Sequence, residues 1–128
     1  MDKKLILQVV VPEYAITRLN AGSTMPEWVS GPGFWEVSNS KEEMTLVCRS
    51  DRVPSNIKSS GGWKCVRVEQ RFTFEEPGVL ASVLLPLANA GVSIFTSSTF
   101  STDYIFVAGG DLQKAVDALR GHGHEVRT

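Results

Sequence analysis

The sequence lacks long apolar runs and has no excess of charge of either sign. Its 128 residues include 13 Lys and Arg against 14 Asp and Glu, a formal net charge of −1. Such a balance provides no basic field to attract nucleic acid or an anionic membrane. No apolar run reaches the about 18 residues that a membrane-spanning helix needs. We therefore expect neither a nucleic-acid partner nor a membrane.

The N-terminal segment has only a superficial likeness to a signal peptide. "MDKK" precedes the apolar run "LILQVVV", but Gln8 interrupts that run. No small-x-small cleavage site follows before "PEYAITRL". We interpret the segment as a strand and predict a cytoplasmic protein.

Cysteine is scarce. Cys48 and Cys65 both lie in strand-like runs, "MTLVC" and "WKCVRV". Without a secretion signal, two buried, reduced thiols are the favoured interpretation, and a disulfide is the lesser alternative. The spacing matches no zinc pattern, so we predict no metal site.

Histidine is equally scarce, and this weakens the case for catalysis. His122 and His124 stand together in "GHGH", far along the chain from the serine and threonine cluster, so a nucleophile–base relay is not expected. We predict a surface turn there. The Glu-Glu pairs at 42–43 and 75–76 point apart in a strand or turn, and "SGPG" and "SGGW" match no phosphate-binding loop. We predict no catalytic residue, no cofactor and no enzyme.

The second half shows clear periodicities. Alternation from Val66 to Phe74 predicts a strand, and helical stripes run from Val79 to Ala88 and from Leu112 to Leu119. Three further strands are expected: one that starts at Val92, its hairpin partner that ends at Val107, and a short one at "HEV". The order β-α-β-β-α-β predicts an α+β, ferredoxin-like unit, an antiparallel sheet with both helices on one face. Pro86 is expected to kink the first helix.

The same order of elements occurs in RNA-binding sheets. Those sheets expose aromatic side chains on central strands beside a basic RNP pattern. The aromatics of "EQRFTFEE" lie instead on the face with Val66 and Val68, which we assign to the core. RNA binding is therefore disfavoured.

The first half repeats the pattern weakly. "LILQVVV", "YAITRL", "FWEVS" and "EMTLVCRS" are strand-like, while the two segments rich in Gly, Pro and Ser allow at most a turn of helix. We predict two units, residues 1–61 with reduced helices and residues 62–128. Whether 63–74 is one strand or two stays open.

The stretch "GVSIFTSSTFSTDYIFV", residues 91–107, is unusually polar for a hairpin. The helix N-terminus from Gly78 offers unpaired N–H groups that suit a carboxylate. Ser98 and Thr99 supply hydroxyls, and Asp103 supplies an anion for an ammonium or guanidinium group. Together they would form a receptor for a zwitterion. The alternative is that these side chains only satisfy and cap the turn.

"PGVLASVLLPLANAGVSIFTSSTFSTDYIFV" resembles the core of the ACT domain, and the chain is similar to small tandem-ACT proteins. These are similar in turn to cytosolic arginine sensors and to the regulatory domains of aspartate kinases. "EYAITRL", "FWEVS" and "GWKCVRV" resemble their degenerate first unit. Ser97 departs from the pattern, which has an aliphatic residue there. The first half also lacks a "PGVL"-like helix start.

The resemblance implies a non-catalytic protein that binds an amino acid at the interface of ACT units. The ligand carboxylate would meet the backbone of Gly78, Val79 and Leu80. Ser98, Thr99 and Phe100 would line the pocket. Asp103 would hold a basic side chain or the α-amino group, with Glu76 as a second contact to a cation.

We therefore predict an amino-acid-binding sensor or regulatory protein. Its partners would be a free amino acid, with a basic one favoured by Asp103 and Glu76, a second copy in a homodimer, and a separate protein target. The alternative is an interaction and dimerisation module whose pocket is vestigial.

Overall fold

The structure is a computed structural model that describes residues 4–71 and 77–128. Its strands are β1 (Ile6–Asn20), β2 (Glu36–Asn39), β3 (Glu43–Arg49), β4 (Ser60–Val68), β5 (Ile94–Ser98), β6 (Asp103–Ala108) and β7 (Glu125–Arg127). Its α-helices are α1 (Val79–Asn89) and α2 (Leu112–Gly121). Three-residue 3₁₀ turns occupy Glu27–Val29, Ser50–Arg52 and Gly109–Asp111.

The chain forms two compact units. The first comprises the described residues up to Val11 together with Lys64–Thr128, and the second is Pro12–Trp63. In sequence, the second unit is thus inserted into the first. The predicted division into 1–61 and 62–128 instead placed the residues up to Val11 with the rest of the first half. That the two halves are repeats of one unit stays a prediction.

The first unit has the predicted β-α-β-β-α-β order, formed by β4, α1, β5, β6, α2 and β7. Its sheet order is β7-β1-β4-β6-β5. The start of β1 therefore lies between β7 and β4. It pairs in parallel with β7, Ile6 opposite Glu125, while the Glu69 N–H donates to the Ile6 carbonyl at 2.8 Å. The sequence predicted a strand here, but not its place in this sheet or its parallel pairing with β7.

Both helices cover one face of this sheet, as predicted. Alternate strand residues point to the same face, so Val66, Val68, Ile105 and Val107 share a core. The helices complete this core with Val79, Val83, Leu87, Ala115, Val116 and Leu119. The predicted apolar stripes thus lie on the buried faces of α1 and α2, except for Ala88, which is exposed.

Helix α1 continues past Pro86 to Asn89. Proline has no N–H, so the Ser82 carbonyl four residues earlier loses its usual intrahelical donor. His124 supplies a replacement, because its Nε2 lies 2.8 Å from that oxygen. Its Nδ1 accepts the Leu5 N–H at 3.0 Å, so the ring proton is on Nε2. The prediction of a surface turn is wrong for His124, which is 4% exposed.

The second unit has strand order β2-β3-β1, with Tyr14 opposite Arg49 and Asn20 opposite Glu43. Its 3₁₀ turns at 27–29 and 50–52 stand where the first unit has helices, as expected for reduced helices. "LILQVVV" and "YAITRL" form one strand through Pro12. Because β7 pairs only up to Gln8 and β3 only from Tyr14, Pro12 lies in the gap between these partners.

No α-helix within the described ranges has the length and apolar character needed to cross a membrane.

Candidate functional site

The polar hairpin is mostly strand. β5 runs to Ser98 and β6 begins at Asp103, and these two residues face each other across the ladder. The turn is the four residues 99–102, an ordinary hairpin length. The hydroxyl-rich stretch is therefore two strand ends and a short turn rather than one long bend.

Hydrogen bonds within the turn involve both of its threonines. The Thr99 N–H donates to the Thr102 carbonyl at 2.8 Å, and the Thr102 N–H donates to Thr99 Oγ1 at 3.2 Å. The Thr102 hydroxyl donates to the carbonyl of Val68 at 2.8 Å. This last bond fastens the tip of the hairpin to the end of β4.

Asp103 and Ser98 form a polar pair on the helix-covered face. The Ser98 hydroxyl donates to Oδ1 of Asp103. Strand alternation places Asp103 on the same face as Ile105 and Val107, which belong to the core beneath the helices. A carboxylate with a bound hydroxyl thus stands at the end of the sheet face that carries α1 and α2.

The N-terminus of α1 is built on a glycine. Gly78 is the N-cap with φ +83°, in the left-handed region that favours glycine, and no side chain among the described residues caps the helix. The first N–H groups of a helix have no intrahelical acceptor. Val79 is buried and Leu80 is half-buried, so a ligand at this helix end would contact backbone N–H groups rather than side chains.

The structure therefore brings Ser98, Thr99 and Asp103 together at the hairpin tip. Phe100, at the same tip, is 80% exposed. Gly78, Val79 and Leu80 form the first turn of α1. Glu76, the predicted second contact to a cation, lies outside the described residues.

The opposite face of the same strands carries a second polar group. Arg67 Nη2 lies 2.9 Å from Oε2 of Glu69, and Tyr104 stands beside them. Burial opposes the charge of Arg67, but hydrogen bonds to Glu69 and Tyr104 outweigh it and raise the pKa of Arg67. The alternation along the strand places Arg67 and Glu69 on this face, but it does not predict the ion pair between them.

Ser97 also belongs to that opposite face, since it pairs with Tyr104. It is 5% exposed. Phe95 and Phe106 stack nearby on the same two strands, with ring centroids 4.5 Å apart. The departure at Ser97 therefore concerns the packing of this face rather than the surroundings of Asp103.

The two thiols are free and buried, as the strand context predicted. Burial raises the pKa of Cys65 to about 12 and also raises the pKa of Cys48. Thiols with raised pKa values are poor nucleophiles and poor metal ligands at neutral pH. Among the residues that the structure describes, no group of three His, Cys, Asp or Glu is placed to hold a metal ion.

Comparison with known families agrees with this fold. The ACT domain family matches residues 58–121, which contain β4 to α2 with the hairpin and the α1 N-terminus. A separate N-terminal domain family matches residues 12–56, within the second unit. The chain belongs to the ACT domain family.

Solved structures share the architecture along most of the chain. A protein from Agobacterium tumefaciens is 35% identical, with a TM-score of 0.91 over 97% of this chain and 92% of its own. A Vibrio cholerae protein of unknown function, described as a possible transport protein, is 20% identical, with a TM-score of 0.74 over 93% and 90%. The regulatory subunit of aspartate kinase from Thermus flavus is 12% identical, with a TM-score of 0.64 over 94% and 99%.

Proposed function

We propose that this ACT protein is a non-catalytic sensor that binds a free amino acid at the tip of the β5–β6 hairpin. Asp103 would accept the α-ammonium group or a basic side chain of the ligand. The backbone N–H groups of Gly78, Val79 and Leu80 would receive its carboxylate. Ser98, Thr99 and Phe100 would line the space between, and Glu76 would add a contact to a cation.

The observation that carries the proposal is the position of Asp103. Its carboxylate lies on the helix-covered face, next to the Ser98 hydroxyl. A bond from Thr102 to Val68 holds the turn against the strand that leads toward α1. A fixed anion at that end of the face suits an ammonium or guanidinium group, and an uncapped helix N-terminus suits a carboxylate.

Assembly and regulation are part of the same proposal. Strand β5 is at the end of the sheet order, so its outer edge is available for a second ACT unit of another copy. A homodimer joined there would set the ligand at a seam between ACT units. The output would go to a separate protein target in the cytoplasm.

One observation favours the alternative, an interaction module with a vestigial pocket. The hydroxyls of Ser98 and Thr99 already have partners inside the hairpin, that of Thr102 donates to Val68 on β4, and Asp103 already accepts the bond from Ser98. Phe100 is 80% exposed at the same tip, as an aromatic contact to a partner protein would be.

A thermal screen of the purified protein against the twenty amino acids separates the two functions. We expect at least one amino acid to raise the melting temperature, since ligand at 100 times its Kd contributes about 2.7 kcal/mol. For a chain of this size that is a shift of roughly 8–15 °C. Asp103→Asn should remove most of the shift and leave the unliganded melting temperature within about 2 °C.

Asp117→Asn is the matched control. Asp117 is an exposed acid on α2 that accepts a bond from Gln113 Nε2 at 2.9 Å, so its loss should leave the ligand-induced shift intact. A flat response to all twenty amino acids would favour the interaction module. An equal shift in the Asp103→Asn protein would show that the Asp103 carboxylate does not bind the ligand.

A further inference from the structure

The glycine-rich segment "SGPG" at 30–33 encloses two arginines. A Cβ atom at Gly33 would lie 2.7 Å from Nε of Arg49, and one at Gly31 would lie 2.8 Å from Cζ of Arg52. The backbone of this loop therefore lies directly against both guanidinium groups. Both positions favour glycine because their φ angles are positive, +156° at Gly31 and +86° at Gly33, and a side chain at either would also shift an arginine head group.

These arginines hold buried donors that nothing in the described ranges satisfies. Nε of Arg49, Oγ of Ser50 and Nη1 of Arg52 are buried without a hydrogen-bond partner, within four consecutive residues. Arg52 does use another nitrogen, since its Nη2 donates to the Pro32 carbonyl. Buried polar groups are nearly always hydrogen-bonded, so such a cluster indicates a missing acceptor.

The charge of the cluster is also uncompensated. Within the part of the chain that the structure describes, neither Arg49 nor Arg52 forms an ion pair with a carboxylate. Asp51, between them in sequence, has an exposed side chain and forms no such pair either. Elsewhere in the same unit, Arg18 shows the ordinary arrangement, with its Nε 2.6 Å from Oε1 of Glu43.

We propose that Arg49, Arg52 and the loop 31–33 form a binding site for a small oxyanion, the carboxylate or phosphate group of a small molecule. The planar guanidinium fork matches both groups, and the Ser50 hydroxyl is a third donor at the same turn. Because Gly31 and Gly33 are two residues apart, their Cα atoms lie within about 7 Å. Both arginines therefore stand beside one short stretch of backbone, where a single ligand meets both.

This site lies in the second unit and is independent of the site proposed at Asp103. The loop holds the arginines in place, and the arginines supply the charge. The spacing of "SGPG" does not match a phosphate-binding loop and so did not predict this site. In the proposed site, arginine side chains bind the anion, and the glycines leave room for them.

Melting temperatures measured at pH 7 test the proposal. Sodium chloride, phosphate and acetate are compared at equal ionic strength, on the wild type, Arg49→Gln and Arg52→Gln. We expect phosphate or acetate to raise the wild-type melting temperature saturably by about 3 °C or more. Both variants should lose this shift. A response to phosphate alone assigns a phosphate ligand, and a response to acetate assigns a carboxylate.

Arg18→Gln is the matched control and should keep the full shift, since Arg18 is an exposed arginine of the same unit. Phosphate also stabilises proteins by exclusion from their surface, and that effect is unsaturable. A shift of equal size in the Arg49 and Arg52 variants would therefore overturn the proposal. So would the absence of any shift in the wild type.

A second measurement needs no variant and stands if Arg49→Gln does not fold. In ¹⁵N-labelled wild type, phosphate or acetate should move the amide resonances of Gly31 and Gly33 along a saturating curve. The Gly22 amide, in another turn of the same unit, should stay in place. Unchanged loop resonances in the folded protein would overturn the proposal.

Discussion

At the scale of single residues, His124 and Pro86 depend on each other. Pro86 lies in α1, where its missing N–H leaves the Ser82 carbonyl without a helical donor. His124 donates Nε2–H to that carbonyl and accepts the Leu5 N–H on Nδ1. One imidazole thus satisfies two buried backbone groups from different elements. The proline is tolerated within the helix because a side chain 38 positions later replaces its donor.

Replacing His124 by alanine should destabilise the protein by roughly 2–4 kcal/mol, because each unsatisfied buried backbone group costs about 1–3 kcal/mol. In a Pro86→Ala background, the alanine N–H can donate to the Ser82 carbonyl, so the same substitution should cost about 1 kcal/mol less. Urea unfolding of the four proteins in this double-mutant cycle measures the difference.

Glu125→Gln is the control for the His124 variants, because the Glu125 side chain is exposed and forms an ion pair with Arg127 at the surface. It should change stability by less than about 0.5 kcal/mol. Equal costs of His124→Ala in both backgrounds would show that the imidazole does not compensate for the proline.

At the scale of elements, β5 pairs with β6 along one edge, and no other strand of residues 4–71 and 77–128 pairs with its second edge. The Ala108 N–H donates to the Ser93 carbonyl, and the Thr99 N–H donates to the Thr102 carbonyl. In an antiparallel ladder, hydrogen-bonded and non-hydrogen-bonded residue pairs alternate. The backbone N–H and C=O groups of the odd-numbered residues of β5 therefore point toward β6. The backbone groups of Ile94, Thr96 and Ser98 therefore point outward.

Thr96→Pro should convert the proposed homodimer to a monomer. It removes an N–H that points away from β6, so the hairpin ladder keeps all its bonds. Sedimentation equilibrium measures the association state, and circular dichroism checks that the fold is kept.

Asn39→Pro is the matched control on β2, the end strand in the order β2-β3-β1 of the second unit. The Ser40 N–H donates to the Glu43 carbonyl, so Asn39 is likewise an outward position. This variant should remain dimeric. A folded Thr96→Pro protein that still dimerises would place the interface elsewhere.

Most elements could be predicted because their signals are local. The alternation at Val66 and Val68 and the stripe of α2 each follow from the geometry of a single element. The sheet neighbours of β1 could not be predicted, because Ile6 and Glu125 are 119 positions apart and no local pattern specifies such a pair. The burial of His124 escaped prediction for the same reason, since its partners lie just before β1 and on α1.

At the scale of the whole molecule, strands from opposite ends of the sequence lie side by side. β1 pairs with β7, and the Glu125 N–H donates to the Leu5 carbonyl at 2.9 Å. Val126 and Leu7 are both buried in the core that this pairing closes. Contacts between such distant residues slow folding, because a long loop must close before they form.

Refolding from urea should therefore be slow, with a main phase of roughly milliseconds to seconds. Stopped-flow tryptophan fluorescence measures it, and added prolyl isomerase identifies phases due to the six prolines. Complete refolding within about 100 μs would contradict the expected dependence on this pairing.

The elements that carry the candidate site could be predicted from the sequence, but the hydrogen bonds of its side chains could not. Gly78 as the start of a helix, and Asp103 as the end of a polar hairpin, follow from composition and spacing. The internal bonds of Ser98, Thr99 and Thr102 depend on side-chain rotamers, which no sequence pattern fixes. The arginine cluster at 49–52 was missed because its glycine loop lies 16 or more positions earlier in the sequence.

The parallel pair of β1 and β7 also bears on how the protein is made. A ribosome completes β1 early but adds Glu125–Arg127 only after more than a hundred further residues. At about 5–20 residues per second, that interval is roughly 5–21 s. For that time β1 of the nascent chain lacks its β7 partner, and an apolar strand with an unpaired edge is prone to aggregate.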